Sequence, residues 1–284
     1  MFIYKTLDDV AVTVIHEAFA NAFSDYQVKM DLPLRKFETM LKRRGFVPDI
    51  SLGAFQDNIL TGFILNGFRS WNGKPAVYDL GTGVIPGFRK QGITSTMLAT
   101  LKDLLKSKNV GQYLLEVIQS NTPAFNLYKK QGFEIVRDFA CFSLDRTGCT
   151  AAGKYNAEHV NIIGPDCWEQ LKSFWDFHPS WQNSIASVNA VSESFFYSLV
   201  KIENKIVGYG IIDKKSGDLV QIAVDKTFRR RGIGRSIVWD LSNRTEAGRI
   251  SVLNVDTAAA STVNFLLSLG FTNSVSQYEM LLTL

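Results

Sequence analysis

A short segment that joins an apolar run to a helical pattern occurs twice in this chain, and no other feature limits the fold as strongly. The first copy reads VIPGFRKQGIT over 84–94, and the second reads VDKTFRRRGIG over 224–234. Apolar residues recur at helical spacing after each copy, so each is predicted to lie where a β-strand turns into an α-helix. The chain therefore contains the same strand-turn-helix unit in two places.

Each copy has an arginine, two further residues and a glycine at the predicted turn, which favours an anion site. The first N–H groups of a helix have no intrahelical acceptor and attract anions. Gly92 and Gly232 let the backbone approach phosphate oxygens without a Cβ atom in the way. We therefore predict a diphosphate site at each turn. The candidate binding residues are Arg89, Lys90, Gln91, Gly92, Ile93 and Thr94 in the first copy, and Arg229, Arg231, Gly232 and Gly234 in the second.

The repeat extends beyond the turn. A Gly-Phe pair at 132–133 returns at 270–271, which is nearly the same offset as that between the two turns. Both blocks show a turn, a helix, an apolar strand, a short helix, the Gly-Phe pair and a last strand. Two tandem domains explain this order, and a length of 284 residues fits two domains. We predict an N-terminal domain at 1–145, a linker at 146–160 and a C-terminal domain at 161–284.

The pattern within each domain predicts an α/β fold built on a mixed (α+β) sheet. Thr6–Asp9 is a candidate helix cap, and the paired glycines Gly81 and Gly83 favour a β-bulge or a close backbone approach. The predicted elements of the first domain are helices at 10–19 and 34–44, and strands at 50–55, 59–68 and 76–84. Those of the second domain are a helix near 167–174 and strands at 195–202 and 206–212.

Two motifs together resemble the GNAT superfamily of N-acetyltransferases. The pattern Arg-x-x-Gly-x-Gly/Ala after a strand is similar to the acyl-CoA-binding motif of that family. The segment NTPAFNLYKKQGF at 121–133 is similar to its second signature, Asn-x-x-Ala-x-x-x-Tyr-x-x-x-Gly-Phe, at full spacing. The resemblance covers about 1–145 well and about 160–284 moderately, and implies two tandem GNAT-like domains. The departure in the first copy is Thr94, where the family usually has Gly or Ala.

The resemblance implies an N-acyltransferase that uses acetyl-CoA, or another acyl-CoA, as co-substrate. A primary amine attacks the thioester directly, while a backbone N–H near Val84 polarises the carbonyl group. Tyr128 matches the family's proton donor for the leaving thiolate, and the alternative is an aromatic side chain that packs the short helix on the sheet. Asn121 either binds the pantetheine amides or caps its helix. The implied acceptor is a small-molecule or peptide amine.

An acidic side chain is also expected as a general base. Glu116 is the sole acid in the apolar strand 113–118, and its alternative role is that of a solvent-facing strand residue. Asp79 is a weaker base candidate. The three cysteines lie outside both motifs, so direct transfer is favoured over a covalent acyl-enzyme. The predicted catalytic residues are therefore Tyr128 and Glu116.

The second domain keeps the turn but loses the candidate reactive groups. With the Gly-Phe pairs aligned, the replacements are Leu266 for Tyr128, Ala259 for Asn121 and Asn254 for Glu116. We therefore predict that the N-terminal domain is catalytic and the C-terminal domain degenerate. The alternative is that the second domain uses a different donor, such as Tyr278. A non-catalytic acyl-CoA-binding or regulatory module is the alternative for the whole protein.

Other classes of function fit the sequence less well. Gly81 and Gly83 resemble the start of a dinucleotide-binding fingerprint, but Pro86 stands where its third glycine would be. A net charge of +4, without aromatic residues interleaved among the basic ones, argues against a nucleic-acid surface. Three cysteines without a Cys-x-x-Cys pair and three scattered histidines predict neither disulfides nor a metal site. The start of the chain shows no secretory leader, and 257–277 is too polar for a membrane span. We expect a cytoplasmic protein that binds neither membrane nor nucleic acid.

Overall fold

The computed structural model describes residues 1–25, 32–149 and 153–284. These residues form two compact units: unit 1 comprises Met1–Val136 with Tyr278–Leu284, and unit 2 comprises Arg137–Gln277. Each unit combines helices with a sheet, so the predicted mixed α/β class is confirmed. Part of the predicted linker, 150–152, lies outside the described residues.

Unit 1 begins with a strand and two helices and continues with an antiparallel meander. Its elements are β1 (Ile3–Thr6), α1 (Val12–Ala22), α2 (Leu34–Arg44), β2 (Leu52–Gln56), β3 (Ile59–Trp71), β4 (Lys74–Val84), α3 (Ile93–Ser107), β5 (Gln112–Ile118) and α4 (Thr122–Lys130). Its strands are ordered β1-β2-β3-β4-β5, and the first four pair antiparallel. Helix α2 has its predicted bounds and ends at Gly45, whose φ of 74° is left-handed.

Unit 2 repeats this plan around the second turn. Its elements are most of β6 (Glu134–Asp145), β7 (Glu158–Val160), α5 (Pro165–Lys172), α6 (Ile185–Ala190), β8 (Phe195–Ile202), β9 (Lys205–Asp213), β10 (Leu219–Val224), α7 (Ile233–Arg244), β11 (Arg249–Asp256), α8 (Ala260–Ser268) and the first half of β12 (Thr272–Thr283). Strands β10, β9, β8 and β7 form one antiparallel sheet. The predicted strands at 195–202 and 206–212 are confirmed as β8 and β9.

The last strand of each sequence repeat is built into the other unit. In unit 1 the end of β12 lies beside β5, where Met280 is fully buried and the Leu284 N–H donates to the Gly111 carbonyl over 3.2 Å. In unit 2 the strand β6 pairs antiparallel with β11. The unit boundaries therefore differ from boundaries drawn along the chain. A strand pattern specifies an apolar face, but it does not specify the sheet edge on which the strand adds.

The start of the first helix also differs from its prediction. Thr6 ends β1 instead of capping a helix, and α1 begins at Val12 after Ala11, which makes no side-chain cap. The Thr6 hydroxyl donates to Asp8, and Lys5 pairs with Asp9 at 2.9 Å. These polar residues therefore satisfy each other in the loop between β1 and α1.

Several chemical properties of the described residues bear on the predicted class. No helix in the described part of the chain has the length and apolar character that crossing a bilayer requires. All three cysteines carry free thiols. Within the described residues no group of three or more His, Cys, Asp or Glu side chains is arranged to hold a metal ion.

Candidate active site

The sheet of unit 1 opens at the strands that precede and follow the first turn. Strands β4 and β5 pair in parallel over three positions only, from Ala76 opposite Gln112 to Tyr78 opposite Leu114. Both strands run on past this point, β4 to Val84 and β5 to Ile118. In unit 2 an isolated parallel bridge before β10 marks the corresponding junction with β11. The strands therefore diverge beyond Tyr78 and leave a slot between them.

A β-bulge occurs at the same place in both units. The register of β4 against β3 shifts by one residue at Leu80, and the register of β10 against β9 shifts at Val220. Leu80 and Val220 are as far apart in sequence as the two glycines of the turns. Because a bulge bends a strand and redirects its side chains, the repeated bulge opens the slot in each unit.

The paired glycines of β4 also allow a close approach by helix α1. A Cβ atom on Gly83 would lie 2.7 Å from the Phe63 ring and 2.9 Å from the Ala22 Cβ, and one on Gly81 would lie 3.2 Å from the Phe19 ring. Larger residues would therefore push α1 away from the strand. Of the two alternatives predicted from these glycines, the bulge is confirmed, whereas the close neighbours are side chains and not a backbone.

The first turn has the backbone geometry of an anion site. Lys90 and Gly92 are left-handed, with φ of 61° and 78°, and helix α3 begins at Ile93 without a side-chain cap. Left-handed residues that alternate with right-handed ones direct neighbouring N–H groups into a concavity. A Cβ on Gly92 would meet nothing within 4 Å, so the space beside this glycine is open. Ile93 contributes through its backbone, because its side chain is buried in the core.

The second turn has the same geometry. Arg230 and Gly232 have φ of 63° and 94°, and helix α7 begins at Ile233, again without a side-chain cap. A Cβ on Gly232 would also meet nothing within 4 Å. The two strand-turn-helix units predicted around Gly92 and Gly232 are therefore confirmed.

Arg89, the first residue of the Arg-x-x-Gly pattern in the first turn, forms hydrogen bonds with other residues of unit 1. Its Nε donates to the Val84 carbonyl over 3.0 Å, and its Nη2 donates to the Ala22 carbonyl over 2.9 Å. Asp25 accepts from Nη1 and Nη2 at 2.7 and 2.8 Å. The Arg89 side chain therefore fastens the turn to the end of α1.

The corresponding arginine of unit 2 makes the same set of contacts. Arg229 Nε donates to the Val224 carbonyl over 3.1 Å, Nη2 to the Phe174 carbonyl over 2.8 Å, and Nη1 to Asp176 over 2.8 Å. Arg231 lies over the Phe228 ring at 5.0 Å and does not belong to the lining of the cavity of this unit. Arg89 and Arg229 are thus both bound to protein groups in the structure, and their contact with an anion stays a prediction.

A cavity of about 540 Å³ lies beside the turn in unit 1. The lining residues come from the end of α1 and the loop after it, the end of β4, the turn, and helix α4 with the residues just before it. Five of the sequence-predicted residues line it: Val84, Arg89, Thr94, Asn121 and Tyr128. The other predicted turn residues, Lys90, Gln91, Gly92 and Ile93, do not belong to the lining, and Lys90, Gln91 and Gly92 are exposed. The structure thus brings the turn and the candidate acid to one cavity.

The candidate acid contacts a buried carboxyl group. The Tyr128 hydroxyl donates to Asp79 Oδ2 over 3.4 Å. Asp79 also accepts the Gly81 N–H on Oδ1 at 2.8 Å and the Thr82 hydroxyl on Oδ2 at 2.6 Å. Burial raises the pKa of Asp79 to about 6, against the opposing effect of these hydrogen bonds. From the sequence alone, Asp79 is only a weaker base candidate than Glu116.

The candidate base lies on the opposite face of β5. Leu115 and Val117 pack in the core with α3, so the intervening Glu116 points the other way. Burial raises the pKa of Tyr78, and the charge of Glu116 together with a hydrogen bond to it raises this pKa further. Glu116 does not occur in the described lining of the unit 1 cavity. The structure therefore places it beside Tyr78 and away from Tyr128.

Asn121 serves as a helix cap. Its Oδ1 accepts the Ala124 N–H over 3.3 Å at the first turn of α4. Because Asn121 also lines the unit 1 cavity, the capping alternative is confirmed while a contact with a ligand stays a prediction.

Unit 2 contains its own cavity of about 380 Å³, and part of its lining is a chain of uncharged side chains joined by hydrogen bonds. Trp175 donates to the Tyr209 hydroxyl over 2.6 Å, and Tyr209 donates to Gln221 Oε1 over 2.8 Å. Gln221 in turn donates to the Asn183 carbonyl over 2.6 Å. The predicted Arg229, Gly232 and Gly234 line this cavity, together with Arg230 and Arg235.

The groups aligned with the acid and base candidates are inert in unit 2. Leu266 is fully buried, and Asn254 donates to the Ser180 hydroxyl over 3.1 Å and accepts from Gln277 over 3.0 Å. The suggested substitute donor, Tyr278, belongs to unit 1, where its ring packs 5.2 Å from that of Phe125. Tyr278 does not belong to the described lining of the unit 2 cavity.

Two arginines that line the cavity of unit 2, Arg230 and Arg235, were not predicted from the sequence. Of the two predicted arginines, Arg229 lines this cavity and Arg231 does not belong to its lining. The Arg-x-x-Gly spacing carries no signal for this difference, because it does not specify the backbone conformation of the turn, in which Arg230 is left-handed with a φ of 63°.

Two family models match the chain. The model described as "Acetyltransferase (GNAT) family" matches residues 14–133, and the one described as "Acetyltransferase (GNAT) domain" matches residues 155–280. Streptothricin acetyltransferase of Streptomyces lavendulae is 31% identical over 84 residues, which are 30% of this chain and 42% of that protein. The match thus spans less than half of this relative.

Solved structures share the fold along the whole chain. A tandem GNAT protein from the clavulanic acid biosynthesis pathway has a TM-score of 0.75 at 12% identity and covers 100% of this chain and 98% of its own. A GCN5-related N-acetyltransferase from Sphaerobacter thermophilus has a TM-score of 0.73 at 14% identity, with 99% and 95% covered. The identities are low, so these likenesses concern the fold. With both family models matched, the chain belongs to the GNAT acetyltransferase family and contains two such domains in tandem.

Proposed function

We propose that this protein transfers an acyl group, normally acetyl, from acyl-CoA to a primary amine, and that unit 1 carries out the reaction. One observation carries the proposal. A single cavity in unit 1 is lined by the end of β4 at Val84, by Thr94 of the turn and by Tyr128 of α4. A thioester in this cavity would have an anion site at one end and a hydroxyl donor near its sulfur.

The backbone of unit 1 fits an acyl-CoA co-substrate. The concavity formed around Lys90 and Gly92 suits a diphosphate. The pairing of β4 with β5 ends at Tyr78. The β4 edge that faces β5 beyond this point can therefore bind an extended pantetheine arm through main-chain hydrogen bonds. A backbone N–H near Val84 would then polarise the thioester carbonyl. A comparable concavity at Gly232 fits the same group in unit 2.

The reaction we propose is direct attack by the amine. A new C–N bond forms at the thioester carbon, and the C–S bond breaks with its electron pair passing to sulfur. Tyr128 donates its proton to the sulfur, and Glu116 accepts the proton that the amine loses. Since these residues lie on opposite faces of β5, attack and departure take place on opposite sides of the thioester. A positioned general acid contributes about 10²–10⁴ in rate.

The acceptor is proposed as a class only. A small-molecule or peptide amine would approach from the face of α1 and α2, on which Glu116 and Tyr78 lie. The name of the Streptomyces lavendulae relative concerns that protein, and its match covers too little of either chain to carry over an acceptor. We also propose a cytoplasmic setting, which suits three free thiols.

Unit 2 supports a second candidate function, that of a non-catalytic acyl-CoA-binding or regulatory module. The observation that favours it is that the buried Leu266 occupies the position of the candidate acid. The cavity of this unit is lined by Tyr209, Gln221 and Asn183. Such a site would bind a thioester without offering a proton to its sulfur.

Incubation with acetyl-CoA and a panel of primary amines tests the proposal. We would follow free CoA thiol with n-butylamine, lysine, spermidine, glucosamine and a short peptide. Turnover that depends on the amine, and that Tyr128→Phe lowers, supports acyl transfer by unit 1. Binding of acetyl-CoA without turnover on the whole panel would instead support the non-catalytic module.

A further inference from the structure

The buried carboxyl group next to Tyr128 is fixed from two sides. Its Oδ1 accepts the backbone N–H of Gly81 at 2.8 Å, and its Oδ2 accepts the hydroxyl of Thr82 at 2.6 Å. Both contacts follow from the bulge at Leu80, which brings the backbone after Asp79 round to its own carboxyl group. Asp79 is only 8% exposed and Tyr128 only 7%, so water has little access to either group.

We propose that Asp79 is a positioning residue for Tyr128, and that its neutral carboxylic acid form makes Tyr128 an effective proton donor. The proposal rests on the proposed function, in which Tyr128 protonates the leaving thiolate. It goes further in naming the group behind the donor and the protonation state that this group requires.

The two protonation states of Asp79 direct the Tyr128 hydroxyl differently. When the carboxyl group is ionised, Oδ2 accepts the tyrosine proton over 3.4 Å and turns it away from the cavity. When it is neutral, its proton resides on Oδ2, because the Gly81 N–H that donates to Oδ1 is fixed in the backbone, whereas the Thr82 hydroxyl that donates to Oδ2 can rotate away. The acid then donates to the tyrosine oxygen, and the tyrosine proton is released towards the thioester sulfur.

Charge in the transition state favours the neutral form as well. The departing sulfur gains negative charge. An ionised Asp79 carboxylate, in contact with Tyr128 in a buried site, would repel this charge and raise the energy of the transition state. Burial raises the pKa of Asp79 to about 6, so the neutral form is accessible near neutral pH.

The other titratable groups around Asp79 do not replace it. On β5, Tyr113 donates its hydroxyl to Asn66 over 2.9 Å. On α2, Arg44 donates to the Leu80 carbonyl over 3.1 Å, and its charge lowers the pKa of Asp79. On β4 itself, Tyr78 is bonded to Glu116 on the opposite face of the sheet. Tyr128 is therefore the partner through which Asp79 acts.

The proton balance of the step is complete. As the C–S bond breaks, the Tyr128 proton moves to sulfur, and the Asp79 acid keeps its proton and stabilises the tyrosine oxygen through its hydrogen bond. The amine proton passes to Glu116 and then to solvent. Solvent returns one proton to Tyr128 after the products leave, so the net reaction is acyl-CoA plus amine to amide plus CoA thiol.

The test is the pH dependence of kcat for wild type and for Asp79→Asn. The amide of that variant presents an N–H to the tyrosine oxygen at every pH, as the neutral acid does. We would use acetyl-CoA with the fastest amine of the panel above and take the ratio of the two kcat values. Ionisation of the acceptor amine affects both enzymes and cancels. The ratio of the wild-type kcat to the Asp79→Asn kcat should fall by about 10²-fold between pH 5.5 and 8.5 with one-proton dependence, because the neutral fraction of a group with a pKa of about 6 falls by about that factor. The KM for acetyl-CoA should stay similar.

A second pair of variants shows whether Asp79 acts through Tyr128. In a Tyr128→Phe background, Asp79→Asn should leave kcat unchanged within about twofold at every pH, because the donor is absent. Two results would overturn the role of Asp79. One is a ratio of wild-type to Asp79→Asn kcat that does not change with pH, and the other is the same fall of that ratio in the Tyr128→Phe background. Absence of turnover in wild type, or full kcat in Tyr128→Phe, would instead overturn the proposed function, so the two failures are distinguishable.

Discussion

Asp25 binds the guanidinium group of Arg89 through two hydrogen bonds, of 2.7 and 2.8 Å, and this pair joins the first turn to the end of helix α1. In unit 2, Asp176 accepts one hydrogen bond from Arg229, at 2.8 Å. The arginine at the start of each turn is therefore paired with an aspartate in both units. We infer that this arginine holds the backbone of the turn in place and that the aspartate compensates its charge.

This relationship predicts the effect of removing the aspartate. If Arg89 fastens the turn, Asp25→Ala should loosen it and weaken acetyl-CoA binding about fivefold, as expected for an exposed bidentate pair. If the arginine were a phosphate ligand, the same change would free its charge and tighten binding. Isothermal titration calorimetry separates the two signs. Asp9→Ala, which removes the surface pair with Lys5, is the matched control and should leave the affinity unchanged.

A carboxylate placed at the first turn should abolish the anion site of unit 1. Gly92→Glu introduces negative charge where the N–H groups converge, and it strains a residue whose φ is 78°. The control is Gly87→Glu, because a Cβ at this exposed glycine also meets nothing within 4 Å and its φ is not left-handed. We expect Gly92→Glu to lower the number of acetyl-CoA molecules bound per chain, by calorimetry. An unchanged affinity and stoichiometry would place the co-substrate in unit 2 alone.

The sequence was sufficient for the features that depend on neighbouring residues. Both turns, the helices after them and the bulge near Gly81 follow from glycine positions and apolar spacing. Helix α2 could be bounded because Gly45 ends it in a left-handed conformation. The second signature correctly placed Asn121 and Tyr128 on one helix.

Contacts between distant residues could not be read in the same way. The partners of Arg89 and Arg229 lie 64 and 53 positions away, and Asp79 lies 49 positions from Tyr128. No local pattern links such pairs, because they meet only after the sheet has formed. The placement of strands β6 and β12 in the other unit could not be predicted for a related reason. Their alternation of apolar and polar residues suits either edge of a sheet.

The last glycine of the second turn is required by packing. A Cβ on Gly234 would lie 2.8 and 2.9 Å from two atoms of the Phe265 ring, whereas unit 1 has Thr94 at this position. We expect Gly234→Ala to lower the free energy of unfolding by about 1–3 kcal/mol, as overpacking does. Urea unfolding measures it, and the added change Phe265→Leu should restore most of the loss. Thr94→Ala is the control, and a similar loss there would contradict the packing explanation.

The stability of unit 1 should depend on the ionisation of Asp79. Its pKa is about 6 in the folded chain against 3.8 as the ordinary value, so folding penalises the charged form. The penalty is absent below about pH 3.8, grows as the pH rises towards 6, and then stays constant at about 3 kcal/mol. Asp79→Asn should therefore stabilise the protein at pH 8 more than at pH 5 in urea unfolding. The exposed carboxylate change Asp103→Asn should show no such difference, and an equal effect at both pH values would contradict the burial of the charge.

The role of Tyr128 as acid gives the most direct test of the catalytic assignment. Tyr128→Phe removes only the hydroxyl and keeps the ring, which packs 5.6 Å from that of Phe133, so the fold should survive. We expect kcat to fall about 10²–10⁴-fold with acetyl-CoA affinity little changed. Leu266→Tyr restores a hydroxyl in unit 2, but it should not rescue the loss, because Asn254 stands where unit 1 has Glu116. Rescue by that change, or a wild-type kcat in Tyr128→Phe, would move the chemistry to unit 2.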